Sequence, residues 1–362
     1  MEIKKEPLGI YKNRTVLVTG HTGFKGSWLT KTLLNWGTEI TGIALKPDTK
    51  PNLFSLLDIK SNIKNYFVDI RDFKKIKKIF IKEKPEIVFH LAAQPLVRDS
   101  YDYPLYTFET NIIGTANVLQ VIKEIGGVKS AVMITTDKVY EEKEKSCWYK
   151  ESDKLGGYDP YSSSKAGAEM VINSYIKSFF NPKDYNKSHQ TLIAPARSGN
   201  VIGGGDWQRD RLFPDVIRAI FEKHKKVIIR NPDSIRPWQY VLEPLYGYML
   251  LAKKLYEGKK EFSGAWNFGP DDKNYLTVRE LTEKTLKMLK KGSYIIKRDF
   301  TKHEADSLRL NINKAKNILG WEPVFNLNKT LELTLDWYKN FYDKKNILSP
   351  TDQQIKLFFD KV

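Results

Sequence analysis

The sequence predicts an α/β fold in which a doubly wound parallel sheet is joined to a smaller, interleaved mixed α/β domain. Three observations support this fold class. Short runs of β-branched residues alternate with longer amphipathic stretches in the first half of the chain, and a glycine-rich turn directly follows the first run. After about residue 195, glycine, proline and aromatic residues become denser and the alternation ends. Alternating strands and helices are typical of a parallel sheet with right-handed crossover connections.

The elements of this fold can be placed along the chain from their hydrophobic periods. Strands are predicted at 15–19, 39–44, 65–68, 86–91 and 130–135. Helices are predicted at about 72–84, 104–125, 160–180, 277–290 and 327–342. We therefore expect one domain over 1–195 with a returning segment at about 232–262, a second domain built from 196–231 and 263–345, and a C-terminal tail over 346–362.

The composition is that of a globular protein and argues against several functions. A single cysteine, Cys147, allows no internal disulfide and suggests a reducing, cytoplasmic location. No apolar run is long enough to cross a membrane, and the histidines lack the spacing of metal ligands, so neither a membrane nor a metal is expected. The net charge is +17, but the lysines are scattered along helix faces such as 73–79 without a nucleic-acid-binding motif. We expect no nucleic-acid partner, and the charge suits an anionic substrate.

The glycine-rich turn is the first candidate binding site. Gly20, Gly23 and Gly26 follow the first strand at three-residue intervals and open a helix, with Thr22 and Phe24 between them. Glycines allow a tight turn and a close approach of the backbone to a pyrophosphate, and the helix N-terminus offers unpaired N–H groups. Placed inside a βαβ unit, this turn predicts a Rossmann-type dinucleotide-binding site.

This glycine spacing resembles that of the extended short-chain dehydrogenase/reductase family, over about residues 13–325. In that family an acidic residue after the third strand binds the adenine, and a small-residue turn after the fourth strand lies beside the pyrophosphate and ribose. The matching residues are Asp69 with Ile70, and Leu91, Ala92, Ala93 and Gln94. The resemblance implies NAD as the cofactor. Lys46, just after the second strand, stands where an NAD-preferring site usually carries an acidic residue, so this loop alone leaves NAD and NADP open.

The candidate catalytic residues follow the fifth strand. Tyr161 and Lys165 are four residues apart at the start of a helix, so their side chains share one helical face. A neighbouring cation and a positive nicotinamide are expected to lower the phenol pKa from about 10 toward about 7. Tyr161 then removes a sugar hydroxyl proton while hydride leaves the same carbon, and Thr136 hydrogen-bonds that oxygen. Tyr161 and Lys165 are also expected to contact NAD.

Asp137 and Lys138 separate the sequence from simple sugar epimerases. Dehydratases of the family place Thr-Asp-Glu at this strand end, the Asp as acid for the departing hydroxyl and the Glu as base for the C5 proton. Here Lys138 replaces the Glu. Together with the segments 20–29, 155–161 and 235–244, this resembles one subgroup, the CDP-glucose 4,6-dehydratases. The resemblance implies that CDP-glucose becomes CDP-4-dehydro-6-deoxyglucose and water, in deoxysugar synthesis for surface polysaccharides such as lipopolysaccharide O-antigen.

Lys138 leaves the base for the C5 proton open. In one account Lys165, the nicotinamide cation and partial burial lower the Lys138 pKa, and the neutral amine takes the proton. In the other account Lys138 stays charged and stabilises an enolate oxygen, while another group or a water takes the proton.

The substrate side and the assembly are expected from the same resemblance. The family uses the residue at Asn200 to hold the substrate pyrophosphate, and Arg236 and Arg309 suit the same phosphates because a guanidinium matches their geometry. Trp207 is a candidate for stacking on the nucleotide base or for packing. Family members pair through the helices near 104–125 and 160–180, which implies a homodimer or a dimer of dimers.

Two other functions fit parts of the sequence. One is a 4-epimerase, or a dehydratase acting on a GDP-, UDP- or dTDP-linked sugar; Asp137 argues against the epimerase. The other is a non-enzymatic nucleotide-binding protein, which would not need an intact Tyr161–Lys165 pair.

Overall fold

A computed structural model describes residues 8–143, 147–222, 225–271, 274–299, 301–303 and 308–362. Helices and strands alternate along these residues. The strands are β1 (Thr15–Thr19), β2 (Glu39–Ala44), β3 (Lys64–Phe67), β4 (Ile87–His90), β5 (Ser130–Ile134), β6 (Trp148–Tyr149), β7 (Leu192–Ser198), β8 (Val201–Ile202), β9 (Val227–Ile229), β10 (Ile235–Pro237), β11 (Gln239–Tyr240), β12 (Trp266–Phe268), β13 (Tyr275–Thr277), β14 (Tyr294–Ile296) and β15 (Arg309–Leu310). The α-helices are α1 (Phe24–Asn35), α2 (Leu53–Leu56), α3 (Phe73–Glu83), α4 (Val97–Asp102), α5 (Pro104–Phe108), α6 (Gly114–Ile125), α7 (Pro160–Ser178), α8 (Leu212–Ile217), α9 (Leu242–Tyr256), α10 (Val278–Leu289), α11 (Leu327–Tyr342) and α12 (Leu348–Phe359). A π-helical segment, Glu109–Ile113, joins α5 to α6.

Seven of the strands form one parallel sheet in the order β12-β7-β5-β4-β1-β2-β3. The central strands are buried along nearly their whole length, as expected where helices cover both faces of a parallel sheet. The predicted fold class is confirmed, and the five predicted strands correspond to β1 through β5. The chain order reverses between β1 and β4, and open sheets of this kind bind ligands at the carboxyl ends of the strands beside such a reversal.

A hydrophobic core lies on each face of this sheet. Apolar residues of α3, α6 and α7 pack against Leu17 of β1 on one face. Its neighbours Val16 and Val18 belong to the core on the other face, together with α1 and α9. Successive strand residues point to opposite faces, so three consecutive apolar residues serve both layers. The two cores hold the strand ends and helix starts that form the candidate site.

In the described residues, four two-stranded sheets lie outside the main sheet: β6–β15, β8–β11, β9–β14 and β10–β13. They combine strands from both predicted domains, because β6 lies in 1–195 and β10 and β11 lie in the returning segment 232–262. However, β12 lies inside the segment 263–345 and pairs in parallel with β7, which makes it an edge strand of the main sheet. The C-terminal stretch, predicted as a tail, forms α12, and its Phe358 is fully buried in the larger core. Among the described residues, no helix combines the length and apolar character needed to span a membrane.

Candidate active site

The glycine turn between β1 and α1 leaves no room for a side chain at Gly20 or at Gly26. Gly20 has φ +75°, and a Cβ there would lie 2.7 Å from the backbone nitrogen of Ala92. A Cβ on Gly26 would lie 2.1 Å from the Gly20 carbonyl oxygen, so the turn and the helix touch at this point. Gly23 precedes α1, whose first turn has neither a side-chain cap nor an acidic residue. The N–H groups of this helix start are therefore suited to an anion such as a pyrophosphate.

The predicted adenine-binding residues follow β3. Asp69 accepts hydrogen bonds from the backbone N–H of Arg71 (2.8 Å) and from its guanidinium (2.8 Å to Oδ2). Burial acts to raise the pKa of Asp69, but these hydrogen bonds outweigh it and hold the pKa below its usual value. Ile70 is buried against Gly114, where a Cβ would lie 2.5 Å from its Cδ1 atom. Asp69 is therefore an ionised acceptor that already carries one partner.

The turn after β4, which begins with Leu91, Ala92 and Ala93, is clamped by a buried asparagine. The Asn111 side chain accepts from the Gln94 N–H (2.8 Å) and donates to the Gln94 carbonyl (3.1 Å). The Gln94 amide donates to the Leu96 carbonyl (3.0 Å) and to Thr107 Oγ1 (2.9 Å). The Gln94 side chain is therefore used to hold its own loop.

The start of α7 brings the catalytic candidates to the end of β5. Asp159 caps the helix by accepting from the Ser162 N–H (2.9 Å), and Pro160 occupies its first turn. Tyr161 and Lys165, one turn apart, are both buried. The Lys165 amine donates to the carbonyl of Ile134 at the end of β5 (3.0 Å).

Burial sets the protonation of this pair. It raises the pKa of Tyr161 to about 12, with the Asp137 carboxyl acting in the same direction and a hydrogen bond with Thr136 opposing it. The protein's own groups do not lower the phenol pKa, because desolvation outweighs the effect of Arg211. The predicted lowering toward 7 also requires a positive nicotinamide, so it stays a prediction. Burial also lowers the pKa of Lys165 to about 8, against the opposing effect of Glu169.

Asp137 has the surroundings of a general acid. Its side chain is buried, and Oδ1 accepts from Thr136 Oγ1 (3.0 Å). Within the part of the chain that the structure describes, Oδ2 has no hydrogen-bond partner. Burial raises the pKa of Asp137 even though Lys138 and Arg236 act in the opposite direction. The Thr136 hydroxyl also acts to lower the pKa of Tyr161, so one threonine lies close to both the acid and the phenol. Lys138 follows directly, with its backbone N–H 3.4 Å from Thr136 Oγ1.

The predicted substrate residues lie on the second domain and on the strand ends facing it. Arg236 on β10 is buried and close enough to influence the Asp137 carboxyl. The carbonyl of Asn200, after β7, accepts from the Gln239 N–H (3.2 Å). The Arg309 guanidinium lies over the ring of Trp148 at 5.6 Å, and its Nε has no hydrogen-bond partner among the described residues. A buried guanidinium N–H without a partner is suited to an anionic ligand.

Trp207 does not fit the predicted stacking on a nucleotide base. Its indole is only 5% exposed and packs against the rings of Trp337, Tyr338 and Phe341. This aromatic cluster belongs to the larger hydrophobic core. Trp207 is therefore a packing residue, the alternative that its sequence context left open.

Two charged residues near the catalytic groups have no role in the sequence prediction. Lys25 lies inside the glycine turn segment, and its charge influences Lys165 and Asp137. Arg211, which also pairs with Asp206 (3.0 Å), influences Lys25 and Tyr161. A lysine within an otherwise apolar helix start was a signal for the first, whereas no sequence pattern marks Arg211.

The sheet order, the glycine turn at the β1–α1 junction and the Tyr-x-x-x-Lys pair define an extended short-chain dehydrogenase/reductase. A family model described as GDP-mannose 4,6 dehydratase matches residues 17–334. The CDP-glucose 4,6-dehydratase of Salmonella typhimurium is 44% identical over 346 residues, covering 95% of this chain and 96% of the relative. The chain belongs to this family of nucleotide-sugar 4,6-dehydratases.

More distant relatives share the architecture. The UDP-glucuronate 4-epimerase of Thermodesulfobacterium geofontis is 28% identical, covering 89% of this chain and 95% of the relative. A crystal structure of the dTDP-glucose 4,6-dehydratase of Streptomyces venezuelae with NAD bound has a TM-score of 0.77 at 24% identity, covering 92% of this chain and 99% of that chain. This likeness confirms the fold.

Proposed function

We propose that the protein converts CDP-glucose to CDP-4-dehydro-6-deoxyglucose and water with NAD as cofactor. The buried carboxyl of Asp137 carries the proposal, because it lies one residue from Thr136 and is held toward its protonated form. An epimerase needs no acid at this position, whereas a dehydratase must protonate a departing hydroxyl. The choice of CDP-glucose is supported by the 44% identity to a CDP-glucose 4,6-dehydratase over nearly the whole of both chains.

The residues at the carboxyl ends of the parallel strands fit a dinucleotide. The glycine turn with Gly20, Gly23 and Gly26, together with Thr22 and Phe24, would hold the pyrophosphate. Asp69 and Ile70 would hold the adenine, and the turn from Leu91 to Gln94 would hold the ribose. Tyr161 and Lys165 would contact the nicotinamide end. When bound, NAD takes a hydride from C4 of the sugar and later returns it to C6. At the expected adenosine end, Lys46 is exposed, and the Asp48 carboxylate accepts a hydrogen bond from the Gln208 amide (2.7 Å). Because these residues leave the choice between NAD and NADP open, the test compares the two cofactors.

Tyr161 performs the first proton transfer in this proposal. It accepts the proton of the sugar 4-hydroxyl, and the nearby Thr136 hydroxyl would hydrogen-bond the same oxygen. The phenol must lose its proton first, although the protein's own groups hold its pKa at about 12. A positive nicotinamide beside the ring acts in the required, lowering direction. Lys165, anchored to the Ile134 carbonyl, adds positive charge on the same helical face.

The elimination uses the two residues after Thr136. A 4-ketone makes the C5 proton acidic, because the charge left behind becomes an enolate. Asp137 donates its proton to the departing 6-hydroxyl, which leaves as water, while a base takes the C5 proton. Lys138 is proposed as that base, with a charged Lys138 that stabilises the enolate as the alternative. When hydride returns to C6, C5 takes up a proton again, which offsets the proton removed by the base. The proton lost from O4 balances the one given up by Asp137, so the net products are the 4-keto-6-deoxy sugar and water.

Three side chains are proposed to hold the substrate diphosphate and sugar. Arg236 and Arg309 supply guanidinium groups for the phosphates, and Asn200 supplies an amide at the end of β7. The net charge of +17 favours the approach of such an anion.

A product assay tests the proposal. The purified protein is incubated with NAD or NADP and with CDP-glucose, dTDP-glucose, UDP-glucose or GDP-mannose, and the 4-keto product is measured by its absorbance in alkali and by mass, which falls by one water. We expect product from CDP-glucose with NAD. A CDP-sugar of unchanged mass epimerised at C4, turnover of another nucleotide sugar alone, or binding without reaction would each overturn the proposal in favour of a different function.

We also propose a homodimer or dimer of dimers in the cytoplasm. Leu105 of α5, Ile113 before α6 and Met170 of α7 are 76%, 53% and 58% exposed, although they are large and apolar. These helices adjoin one another, so the exposed side chains supply an apolar surface of the kind that a second copy covers. A nucleotide-sugar substrate and a lone cysteine, Cys147, suit the cytoplasm.

A further inference from the structure

The catalytic segment, residues 135–140, begins and ends on one buried ion pair. The pair is formed by Glu169 of α7 and Arg197 of β7, whose side chains are each only 3% exposed. Arg197 donates to the Glu169 carboxylate through Nε (2.7 Å to Oε1) and through Nη2 to Oε2, so the contact is bidentate. This parallel geometry fixes the two side chains relative to each other more firmly than a single hydrogen bond does.

Each end of the catalytic segment has a hydrogen bond to this pair. At its start, the Thr135 hydroxyl donates to Glu169 Oε1 (2.6 Å). At its end, the buried Tyr140 hydroxyl accepts from Arg197 Nη1 (2.7 Å) and donates to Asn267 Oδ1 (2.7 Å). These two contacts with the ion pair are the anchoring hydrogen bonds of the segment. The residues between them include the candidate acid and the candidate base.

The ion pair also lies close to the redox pair. Glu169 follows Lys165 by four residues on α7, and its carboxylate acts to raise the pKa of that amine. Lys165 itself donates to the carbonyl of Ile134 (3.0 Å), directly before the catalytic segment. Helix α7 therefore contacts the end of β5 through two side chains that are one turn apart. This arrangement sets the position of the catalytic segment relative to the start of the helix.

Stability alone does not account for such a pair. Removal of two charges from water offsets much of their attraction, and a well-packed apolar pair of similar volume often stabilises a fold equally well. Apolar side chains cannot supply directed hydrogen bonds. The Glu169 carboxylate accepts from Arg197 and Thr135, whereas the guanidinium also donates to Tyr140 and to the Glu151 carbonyl (3.1 Å). The two charged groups therefore fix directions as well as distances.

We propose that Glu169 and Arg197 are positioning residues that hold the catalytic segment in the geometry needed for elimination. This inference rests on the proposed function, since it concerns the acid and the base assigned there. A displacement of about 1 Å at a reacting group can cost about a hundredfold in rate. The Gly156 N–H also donates to the Val139 carbonyl (2.9 Å), so loss of one anchoring hydrogen bond should loosen the segment without unfolding it.

Two variants each remove one anchoring hydrogen bond and leave the ion pair in place. Thr135→Val keeps the shape of its side chain, and the ring of Tyr140→Phe can still stack on Tyr149 (4.8 Å). In single turnovers with limiting CDP-glucose and NAD, we expect elimination to slow about tenfold in each variant and about a hundredfold in the double variant. Reduced cofactor and a 4-keto sugar that keeps its 6-hydroxyl should then accumulate. Oxidation at C4 and the KM for CDP-glucose should stay close to wild type.

Arg197→Lys separates the charge of the pair from its geometry. A lysine can pair with Glu169, but it lacks the planar fork that also reaches the Tyr140 hydroxyl. We expect elimination to slow as in Tyr140→Phe, and the two changes together to cost little more, since both remove the same contact. Tyr149→Phe is the matched control, because its hydroxyl accepts from the Lys143 N–H (3.1 Å) instead of from the ion pair. It should eliminate at the wild-type rate.

Rates are expressed per folded chain, measured by circular dichroism at the assay temperature, so that lost stability is not counted as lost catalysis. The inference is wrong, while the proposed function stands, if Thr135→Val and Tyr140→Phe eliminate at the wild-type rate or if oxidation and elimination slow equally. Wild-type elimination in Arg197→Lys would also overturn it. A wild-type chain that makes no 4-keto product overturns the proposed function and this inference with it. Should Arg197→Lys not fold, the two hydroxyl variants decide the outcome.

Discussion

Replacement of Asp137 by asparagine tests the assignment of the acid without changing the shape of the site. The Asn side chain can keep the hydrogen bond that Asp137 Oδ1 accepts from Thr136 (3.0 Å), and it adds no atoms to a buried position. It has no acidic proton to give to the departing 6-hydroxyl. Loss of a positioned general acid or base costs about 10²–10⁴ in rate, or about 3–5 kcal/mol of transition-state stabilisation. We expect the elimination step of Asp137→Asn to slow by this amount.

The first oxidation should be spared, because Tyr161 and Lys165 remain in place. A single-turnover experiment with limiting substrate follows the absorbance of the reduced cofactor, and rapid quenching with mass spectrometry identifies the sugar. The variant should accumulate reduced cofactor together with a 4-keto sugar that has kept its 6-hydroxyl. Asp336→Asn, which changes an exposed carboxylate on α11, should match the wild type. If oxidation and elimination slow equally, Asp137 positions the substrate rather than protonating the leaving group.

The same variant has an expected stability signature. Burial raises the pKa of Asp137 in the folded chain, so the folded state binds more protons than the unfolded state above the ordinary carboxyl pKa of 3.8. The stability contributed by this group is therefore greatest at low pH and falls as pH rises through the window between the unfolded and folded pKa values. Asp137→Asn removes this loss. Its Tm should exceed that of the wild type at pH 7, and the gain should shrink toward pH 4.

Three further predictions concern the base, the phenol and the assembly. Tyr161→Phe should lower turnover at least about a hundredfold with folding intact. Tyr175→Phe, which changes a tyrosine on the same helix that is hydrogen-bonded to Gln120, should keep wild-type turnover. Near-normal turnover of Tyr161→Phe would show that Tyr161 is not the base. Lys138→Met in deuterated buffer should still reduce the cofactor but incorporate almost no deuterium at C5 if Lys138 is the base, whereas substantial exchange would leave it an electrostatic role. Leu105→Glu should shift the sedimentation profile toward monomer, while Ile318→Glu, at another exposed apolar position, should not.

The parts of the site that could be predicted from the sequence are those encoded within a few adjacent residues. The glycine turn depends on spacing alone, and the structure places Gly20 at a positive φ with backbone packed against the site of its missing side chain. Tyr161 and Lys165 share a helical face because of their four-residue offset, and the Asp159 cap fixes where that helix begins. Geometry of this kind is set by residues that are close in sequence, so it does not depend on which distant segments pack against them.

The parts that could not be predicted depend on distant contacts. Trp207 was a candidate for stacking on a nucleotide base or for packing, and the choice depends on α11, which supplies the aromatic partners that bury it more than a hundred residues later. The three-residue strand β12 joins the main sheet only because β7 offers an unpaired edge. Arg211 lies near the catalytic groups because of the path that the chain takes before α8, and no sequence motif around it indicates this position.

Burial is the common cause of the unusual protonation at this site. It raises the pKa values of Asp137 and Tyr161 and lowers those of Lys25 and Lys165, so each group is moved toward its neutral form. These four groups therefore carry less fixed charge than they would in water. The charges that arise in the proposed reaction, on the nicotinamide, the phenolate and the enolate, then interact with one another through little screening solvent. A change of protonation at this site therefore affects the other charges near it.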